Sequence, residues 1–274
     1  MRGISSKAKA YQRRQQRRKA LCVQAGLVWP LRLVFVTGAG ISAASGIPTF
    51  RGPDGLWTHA ELQRFSYSSI LKTDLAGFLA FHNARRQHIL AAEPSLAHRL
   101  IAALQDRAQV NVITQNIDDL HERAGSQDVW HLHGSIQHTV PIGFRGDKYR
   151  QPWQSDIRPG DRCPITGSQL RPDIVLFGER LYDYFPTRKW LCEADMVVVI
   201  GTSLQVEPAA SLLQYINPAA QVFYINPDSN ALGSLPFPGT PMCLCADDGM
   251  TEIYEIINNL IKIYGRNESD GNGK

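Results

Sequence analysis

The stretch Leu33-Val34-Phe35-Val36-Thr37-Gly38-Ala39-Gly40-Ile41-Ser42 decides the fold of this 274-residue chain. Its first half is a short apolar run of the kind that forms a strand buried on both faces. Its second half has glycines where backbone N–H groups can approach a phosphate at the start of a helix. The stretch therefore predicts a strand, a phosphate-binding turn and a helix. A plain tight turn is the alternative interpretation of the two glycines.

Similar apolar runs recur further along the chain, at Val110–Thr114, Ile174–Phe177, Met196–Ile200 and Val222–Ile225. Helical patterns occupy much of the sequence between and after them, over 94–104, 208–215 and 253–264, and we expect Gly265 to end the last one. Strands that alternate with helices predict an α/β fold with a doubly wound, mostly parallel, Rossmann-like sheet.

Two stretches lack this alternation. Residues 58–93 are helix-like without an intervening strand, and residues 136–171 are rich in Pro, Gly, Arg and Asp. We interpret both as insertions that form a smaller module over the sheet. Because ligands bind beyond the carboxyl ends of parallel strands, the cleft between module and sheet is the expected ligand site.

Composition excludes some classes of protein. Hydrophobic residues make up 43% and charged residues 20% of the chain, which disfavours a disordered or membrane protein. The net charge of +4 is concentrated at the start, where residues 1–32 hold nine Lys or Arg and no acid. We favour a solvated or partly helical extension over an arm that contacts nucleic acid or anionic lipid.

The compartment follows from weaker signals. Five cysteines without framework spacing do not indicate an oxidising environment, so the cytoplasm is the expected location. The Arg-rich start also resembles a transit peptide, which leaves targeting open.

The glycine turn lacks the features of two common nucleotide sites. No Lys-Ser or Lys-Thr follows Gly40, which excludes a P-loop nucleotide triphosphatase. A dehydrogenase would carry an acidic residue closing a second strand about twenty residues on, where this chain has Ile47–Trp57. Ordinary hydride transfer is therefore disfavoured.

Several motifs in order resemble the sirtuin family. Gly38–Ser42 is followed by Gly46–Arg51, Gly55–Trp57, Thr114–Asp118, Leu132–Gly134, Arg171–Asp173, Phe177–Glu179, Gly201–Ser203 and Val206–Ala209. The resemblance covers roughly residues 31–264 as the catalytic domain, with a basic extension over 1–30 and a polar tail over 265–274. So many motifs in the family's order and spacing are far less expected to occur by chance than one Gly-rich turn.

The resemblance implies an NAD-dependent protein lysine deacylase. Sirtuins cleave NAD between nicotinamide and ribose and move the acyl group of a protein lysine onto the ADP-ribose. A base must then take a proton from a ribose hydroxyl, a task that suits a histidine near neutral pH. His133 matches the family's base, and His131 on the same side of an extended strand is the less favoured alternative.

The resemblance also implies which residues hold NAD. Asn116 and Asp118 match the contacts to ribose and nicotinamide, Phe50 and Arg51 match a loop over the nicotinamide ribose, and Asn226 matches a contact to the adenosine ribose. The cofactor-binding set implied in full is Gly38, Ala39, Gly40, Ile41, Ser42, Pro48, Phe50, Arg51, Trp57, Gln115, Asn116, Ile117, Asp118, Gly201, Thr202, Ser203, Asn226 and Ala246. Without the family pattern, Asp118 would be interpreted as a helix cap, and both roles are compatible.

The acylated lysine partner is expected between two backbone edges. By resemblance, Phe177-Gly178-Glu179 forms one edge and the segment Leu204–Val206 forms the other. A peptide that adds as a strand is held mainly through its backbone, so the expected range of protein substrates is broad.

The chain departs from the family at the zinc site. Most members build it from two Cys-x-x-Cys pairs, whereas this chain keeps only Cys163 and has Thr166 in place of its partner. One thiol cannot make a four-ligand structural zinc site. His138 is the remaining candidate ligand, and we interpret it as a solvated loop histidine. We predict no zinc, with Trp153 and Tyr149 packing the module.

The acyl pocket is the second departure. Sirtuins that remove succinyl or malonyl groups carry Tyr-x-x-Arg where this chain has His82-Asn83-Ala84-Arg85. Arg85 can still offer two N–H groups to a carboxylate, and His82 can donate one hydrogen bond. The alternative is that both lie on a solvated helix face. We therefore expect deacetylase-type activity and leave a preference for acidic acyl groups open.

Two other functions compete with deacylation. The first is ADP-ribosyl transfer or plain NAD hydrolysis, which also breaks the nicotinamide–ribose bond. The second is a non-catalytic NAD-binding module. The retained Phe177-Gly178-Glu179 and Val206 argue against the former, and His133 with Asn116 and Asp118 argues against the latter. The oligomeric state is not predicted.

Overall fold

A computed structural model describes residues 31–49, 60–153, 155–182, 184–232, 235 and 237–269. Within them, the predicted parallel sheet has six strands in the order β3-β2-β1-β7-β8-β9, and every neighbouring pair is parallel. Their bounds are Leu31–Thr37 (β1), Ala108–Thr114 (β2), Val129–His131 (β3), Met196–Ile200 (β7), Gln221–Ile225 (β8) and Thr240–Met242 (β9). The predicted doubly wound α/β fold is confirmed.

Helices cover both faces of this sheet and its inserted module. The α-helices are Ala60–Phe65 (α1), Ile70–Thr73 (α2), Leu75–Ala91 (α3), Leu96–Ala103 (α4), Leu120–Arg123 (α5), Phe185–Glu193 (α6), Ala209–Leu212 (α7), Ser229–Leu232 (α8) and Ala246–Ser269 (α9). Short 3-10 helices span Ala39–Ser45, Leu104–Asp106, Asp147–Tyr149 and Leu213–Tyr215. None of the helices in the described residues is long and apolar enough to cross a membrane.

The central strands are buried on both faces because their side chains are apolar throughout. Phe35 and Val198 point into one layer with Ile101 of α4 and Ile253 of α9. Alternate residues of the same strands point into a second layer formed with α6 and α7. These two layers leave the carboxyl ends of β1 and β7 side by side at the centre of the sheet, where the strand order reverses.

The smaller module carries a sheet of its own. Strands Gly134–Pro141 (β4), Gln151–Pro152 (β5) and Leu170–Ile174 (β6) pair antiparallel in the order β5-β4-β6. The placement of Ile174–Phe177 among the strands of the parallel sheet was therefore wrong: the strand covers 170–174 and belongs to the module. The insertion over 58–93 is helical as predicted, through α1, α2 and α3 where the structure describes it.

Helix ends differ from the predictions in two places. Helix α9 continues through Gly265 to Ser269, so the predicted stop at Gly265 was wrong. Glycine weakens a helix interior by only about 1 kcal/mol, and the apolar contacts of α9 with the core outweigh that cost. The helices predicted to open at Pro94 and Pro208 begin one or two residues later, with Ser95 and Pro208 as their caps.

Trp153 joins the module to helix α3. Its side chain is buried, the guanidinium carbon of Arg86 lies 4.8 Å from the centroid of its ring, and Arg86 donates a hydrogen bond to its carbonyl oxygen. The predicted packing by Trp153 is confirmed. Tyr149 lies nearer the surface, where its ring is 5.3 Å from that of Phe144.

Candidate active site

The carboxyl ends of β1 and β7 meet through glycines. The N–H groups of Gly38 and Gly40 donate to the carbonyl oxygens of Ile200 and Gly201, each at 2.9 Å. A Cβ atom on Gly40 would lie 2.6 Å from the Cα of Gly201, and Gly201 itself has a positive φ of 61°. Glycine is required here because the two loops touch. The N–H groups of both glycines in the first loop therefore hold the loops together rather than point at a ligand.

A cavity of about 740 Å³ opens beyond these strand ends, between the parallel sheet and the module. This is the cleft that the sequence predicts. Its lining includes these predicted site residues: Gly38, Ala39, Gly40, His82, Arg85, Gln115, Asn116, Ile117, His133, Phe177, Gly178, Gly201, Thr202, Ser203, Val206 and Asn226. The structure thus brings the predicted base, most cofactor contacts and all five predicted substrate contacts to one space.

Other predicted site residues lie elsewhere. Ile41, Ser42 and Asp118 are buried behind the cavity wall. Pro48 is exposed outside the cavity, and Ala246 packs into the core at the start of α9. The predictions for Phe50, Arg51 and Trp57 fall outside the described residues.

The turn over 115–118 is fixed by its own polar side chains. The side-chain N–H groups of Asn116 donate to the carbonyl oxygen of Gly38 and to the Oγ of Ser42, each at 3.2 Å. Ser42 in turn donates to Asp118 at 3.1 Å. Burial raises the pKa of Asp118, and hydrogen bonds from the Leu120 N–H and Ser42 together with the charge of His131 oppose that shift. Asp118 also accepts a hydrogen bond from the first N–H of α5, that of Leu120, at 3.2 Å, while Asp119 occupies the N-cap position predicted for Asp118.

His133 is held in one tautomer. Its Nδ1 lies 2.9 Å from the carbonyl oxygen of Gln115, which accepts but cannot donate, so the proton of the neutral ring is on Nδ1. Its Nε2 is buried and makes no hydrogen bond within the described residues. Burial lowers the pKa of His133, and the backbone of Gln115 and of Glu207 partly offset the shift. The unprotonated Nε2 therefore has the state that a base in the cavity needs.

His131 does not face the cavity. Its Nδ1 lies 2.9 Å from the carbonyl oxygen of Asn116, and its Nε2 lies 2.7 Å from a carboxylate oxygen of Glu122. The alternative that His131 is the base is therefore disfavoured, since both of its nitrogens are engaged by protein oxygens.

The opposite end of the cavity is lined by the loops after β7 and β8. Gln115 donates to the hydroxyl of Thr202 at 2.7 Å, and Asn226 donates to the carbonyl oxygen of Thr202 at 3.2 Å. Asn226 and the hydroxyl-bearing Thr202 and Ser203 thus share one wall. Such groups are suited to the hydroxyls of a ribose.

One predicted substrate edge is already part of a small backbone ladder. The Phe177 N–H donates to the carbonyl oxygen of Ser66 at 2.8 Å, and the Ser68 N–H donates to that of Phe177 at 3.0 Å. The ring of Phe177 lies 5.3 Å from that of Tyr67, and both side chains are partly exposed. Gly178 has a positive φ of 87°, which turns the chain back toward the module.

Glu179 anchors this edge to the module. One of its carboxylate oxygens accepts from Arg171 at 2.8 Å, and the other accepts from the Leu176 N–H at 2.9 Å and from Arg145. Arg171 is almost fully buried, and it also donates to the carbonyl oxygen of Ile174 at 2.7 Å. A single carboxylate therefore holds the Phe177 loop between two arginines.

His82 and Arg85 line the cavity from helix α3, so the alternative of a solvated helix face was wrong. His82 is 2% exposed and packs against the rings of Phe78 and Phe81. Burial, together with the nearby charge of Arg85, lowers the pKa of His82 to about 3, so the ring is neutral. Burial lowers the pKa of Arg85 to about 10 against the favourable charge of Asp118, and Arg85 remains a cation at neutral pH.

Some lining residues were missed by the sequence analysis. Phe65 and Ser66 reach the cavity from the end of α1, and Glu207 and Asp228 lie on the loops after β7 and β8. Gln205 also lines the cavity, within the predicted substrate edge Leu204–Val206. Asp228 follows the end of β8 by three residues, so the rule for carboxyl ends of strands would have found it. Phe65 carries no such signal, because only the packing of the module brings it to the cavity.

Cys163, the cysteine retained from the family's zinc site, lies between strands β5 and β6 of the module. The thiol is buried and receives a long hydrogen bond of 3.7 Å from Gln151. The interpretation of His138 as a solvated loop histidine was wrong, because His138 is half-buried in strand β4 and pairs with Pro152. Its Nδ1 lies 3.4 Å from the hydroxyl of Ser135 and 3.1 Å from Arg150. In the described part of the chain, no group of three or more His, Cys, Asp or Glu side chains could hold a metal ion.

Comparisons with known proteins agree with this geometry. A model of the Sir2 family matches residues 38–208. The NAD-dependent protein deacylase of Helicobacter pylori is 42% identical over 200 residues, which cover 71% of this chain and 84% of that protein. The NAD-dependent protein deacylase of Bacteroides thetaiotaomicron is 41% identical over 199 residues, covering 71% and 85%.

Solved structures share the fold. A Sir2 homologue mutant in complex with ADP-ribose matches with a TM-score of 0.76 and 34% identity, covering 89% of this chain and 97% of that one. A Sir2 homologue in complex with NAD matches with a TM-score of 0.73 and 33% identity, covering 89% and 94%. A Sir2 mutant with a deacetylated peptide and 3′-O-acetyl ADP-ribose matches with a TM-score of 0.68 and 28% identity, covering 88% and 97%.

Proposed function

Because this chain belongs to the Sir2 family and is an NAD-dependent protein deacylase, we propose that His133 is its catalytic base and that the cavity holds NAD beside an acylated lysine. The observation that carries the proposal is the unpartnered Nε2 of His133 at the wall of the cavity. A buried ring nitrogen without a partner is costly, and a substrate hydroxyl at this place would satisfy it.

The cavity fits a dinucleotide in size and chemistry. Its volume of about 740 Å³ is within the range of cofactor sites. The glycines at the strand ends keep its floor free of side chains, since even a Cβ on Gly38 would lie 2.7 Å from Thr202. NAD supplies the nicotinamide–ribose bond that is broken and the ribose that receives the acyl group.

The two ends of NAD have different partners in this proposal. Asn116 binds the nicotinamide end of NAD from the cavity wall, with Gln115 and Ile117 beside it. A contact of the buried Asp118 with the ribose or carboxamide of nicotinamide stays a prediction of the family resemblance. Thr202, Ser203 and Asn226 bind the adenosine ribose and phosphates. Contacts from Pro48, Phe50, Arg51, Trp57 and Ala246 stay predictions of the family resemblance.

His133 acts at a single atom. The Gln115 carbonyl oxygen keeps the proton on Nδ1, so Nε2 is free to take the proton of a ribose hydroxyl. Burial lowers the pKa of His133, which keeps the ring unprotonated at neutral pH. The proton can be returned to the departing lysine amine or to water after the acyl transfer.

The acylated peptide lies between Phe177-Gly178 and Val206. Both segments line the cavity mouth, and Glu179 holds the first of them in place. A peptide that pairs with backbone on both sides is held without demands on most of its side chains. The solved Sir2 structure with a deacetylated peptide supports a protein substrate for this site.

The acyl chain extends toward His82 and Arg85. We propose that the enzyme prefers acyl groups that end in a carboxylate. Arg85 is a cation in a largely apolar wall formed with Phe65 and Ile174. An anionic group there would gain a charge-assisted hydrogen bond from Arg85 and one from the neutral ring of His82.

One assay tests the function. The protein is incubated with NAD and an acetylated or succinylated peptide, and nicotinamide release is followed together with peptide mass. The proposal predicts nicotinamide release that requires the peptide and is matched by loss of the acyl mass. Release without peptide would indicate NAD hydrolysis, a gain of peptide mass would indicate ADP-ribosylation, and no release would indicate a binding module.

A further inference from the structure

Three successive carbonyl groups of the turn over 115–118 are held by one segment of the chain. The Gln115 carbonyl receives Nδ1 of His133, the Asn116 carbonyl receives Nδ1 of His131, and the Ile117 carbonyl receives the N–H of Ile136. The segment from the end of β3 into β4 thus fixes the turn. His133 is part of the site already described, but His131 is not.

His131 faces an acceptor at each ring nitrogen. The Asn116 carbonyl oxygen lies 2.9 Å from Nδ1, and a Glu122 carboxylate oxygen lies 2.7 Å from Nε2. Neither oxygen carries a proton to donate, so both hydrogen bonds exist only when both ring nitrogens are protonated. The geometry therefore requires an imidazolium between the turn and helix α5.

We propose that His131 is a positioning residue that acts as a cation, joining Glu122 to the Asn116 carbonyl so that the side chain of Asn116 is held at the cavity wall beside NAD. The proposal rests on the role of Asn116 under the proposed function. When His131 loses its second proton, one of its two hydrogen bonds is lost, and the Asn116 carbonyl is held less firmly than those of Gln115 and Ile117.

Charged and titratable groups face His131 from several elements. Glu122 and the neutral His121 lie on α5, Asp118 lies in the turn, and His138 lies on β4 with Arg150 acting on Glu122 from beyond it. Burial lowers the pKa of His131, but the hydrogen bond and charge of Glu122, the Asn116 carbonyl and Asp118 together raise it above the ordinary value. His121 and His138 both have lowered pKa values, so neither supplies a cation at neutral pH.

The sign of the pH dependence follows. Because the pKa of His131 is raised, the imidazolium and both of its hydrogen bonds, to Glu122 and to the Asn116 carbonyl, are present at neutral pH. They are lost as the pH rises through the raised pKa of His131. Affinity for NAD is then expected to fall toward alkaline pH. In the pH profile of kcat/KM, His131 therefore produces the fall at alkaline pH. His133 produces the fall at acidic pH, since its protonation removes the base.

The test compares the pH profile of kcat/KM for NAD in the wild type, His131→Gln and Glu122→Gln. We expect His131→Gln to raise KM for NAD about tenfold at neutral pH, the effect of one hydrogen bond to a charged group, and to remove the alkaline limb. Glu122→Gln removes the charge at a half-exposed position, and it should move the alkaline limb to lower pH. His138→Gln is the matched control and should leave the limb in place.

The inference is overturned if the alkaline limb and KM for NAD are unchanged in both variants, or if the limb disappears in His138→Gln. If His131→Gln does not fold, the shift in Glu122→Gln alone decides. Asn116→Ala separates the two claims: if it leaves KM for NAD unchanged, the proposed role of the turn fails as well. If it raises KM while His131→Gln and Glu122→Gln do not, only the positioning role fails.

Discussion

At the residue scale, the difference between His131 and His133 comes from one hydrogen-bond partner. Both rings approach a carbonyl oxygen of the same turn through Nδ1. Glu122 engages the second nitrogen of His131, whereas that of His133 is left without a protein partner at the cavity. Sequence spacing puts both rings on one side of the strand, and it carries no information about Glu122. The sirtuin motif, rather than spacing, separated the two.

Arg85 provides the residue-scale test of acyl choice. Replacing it by alanine removes the cation that would pair with an acyl carboxylate, so turnover of a succinylated peptide should fall at least tenfold. Turnover of an acetylated peptide should change little, because an acetyl group has no charge to pair. Steady-state kinetics with the two peptides measures the ratio.

Arg107→Ala is the matched control, since this arginine is exposed and bonds Tyr254 outside the site. It should leave the ratio of succinyl to acetyl turnover unchanged. The preference for acidic acyl groups is rejected if acetyl peptide is turned over as well as succinyl peptide by the wild type and Arg85→Ala has no effect. His82 adds no pH dependence near neutrality, because its pKa of about 3 lies far below that range.

At the element scale, long buried strands were predictable and short paired ones were not. β1 and β7 carry enough consecutive apolar residues to be recognised alone. β3 has three residues and exists because Val129–His131 pairs with the end of β2. The module sheet follows the same logic: β4 pairs closely with β6 only because Gly134 has no side chain, since a Cβ there would lie 2.1 Å from the Asp173 oxygen. Such pairing is a tertiary contact with no local pattern.

Glu179→Gln tests the element that carries the peptide. The change keeps the shape of the side chain but leaves Arg171 and Arg145 without their shared negative charge. Because Arg171 is buried, we expect the free energy of unfolding to fall by about 2 kcal/mol. KM for the peptide should rise while KM for NAD stays close to wild type, as measured by denaturant unfolding and steady-state kinetics.

Glu193→Gln at the exposed end of α6 serves as the control and should change neither quantity. A loss of NAD affinity equal to the loss of peptide affinity would argue that Glu179 supports the whole cavity. Unchanged stability and unchanged KM for the peptide would remove its anchoring role.

At the scale of the whole molecule, the parallel sheet and the cleft followed from the alternation of strands and helices, and the sirtuin motifs carried most of the site. The attachment of the module did not follow from either. Arg86 beneath Trp153 and Asn83 bonded to the backbone of Ile157 hold helix α3 to the loop after β5. These contacts join residues about 70 positions apart in the chain, so no local sequence pattern predicts them.

The same contacts lead to a prediction about metal. Since packing and polar contacts of Trp153, Arg86 and Asn83 hold the module, treatment with a strong chelator should leave both the melting temperature and the deacylation rate unchanged. Differential scanning calorimetry and the peptide assay measure the two quantities. One or more zinc ions retained per chain on elemental analysis of purified protein would contradict this prediction.

The most direct test of the account is the fate of NAD and peptide in His133→Ala. The base acts after the nicotinamide bond has opened, so this variant should still exchange labelled nicotinamide into NAD in the presence of acylated peptide, while deacylation of the peptide is abolished. Mass spectrometry of the peptide and labelled NAD follows both reactions in one sample. Deacylation at a rate near that of the wild type would contradict the assignment of His133 as the base.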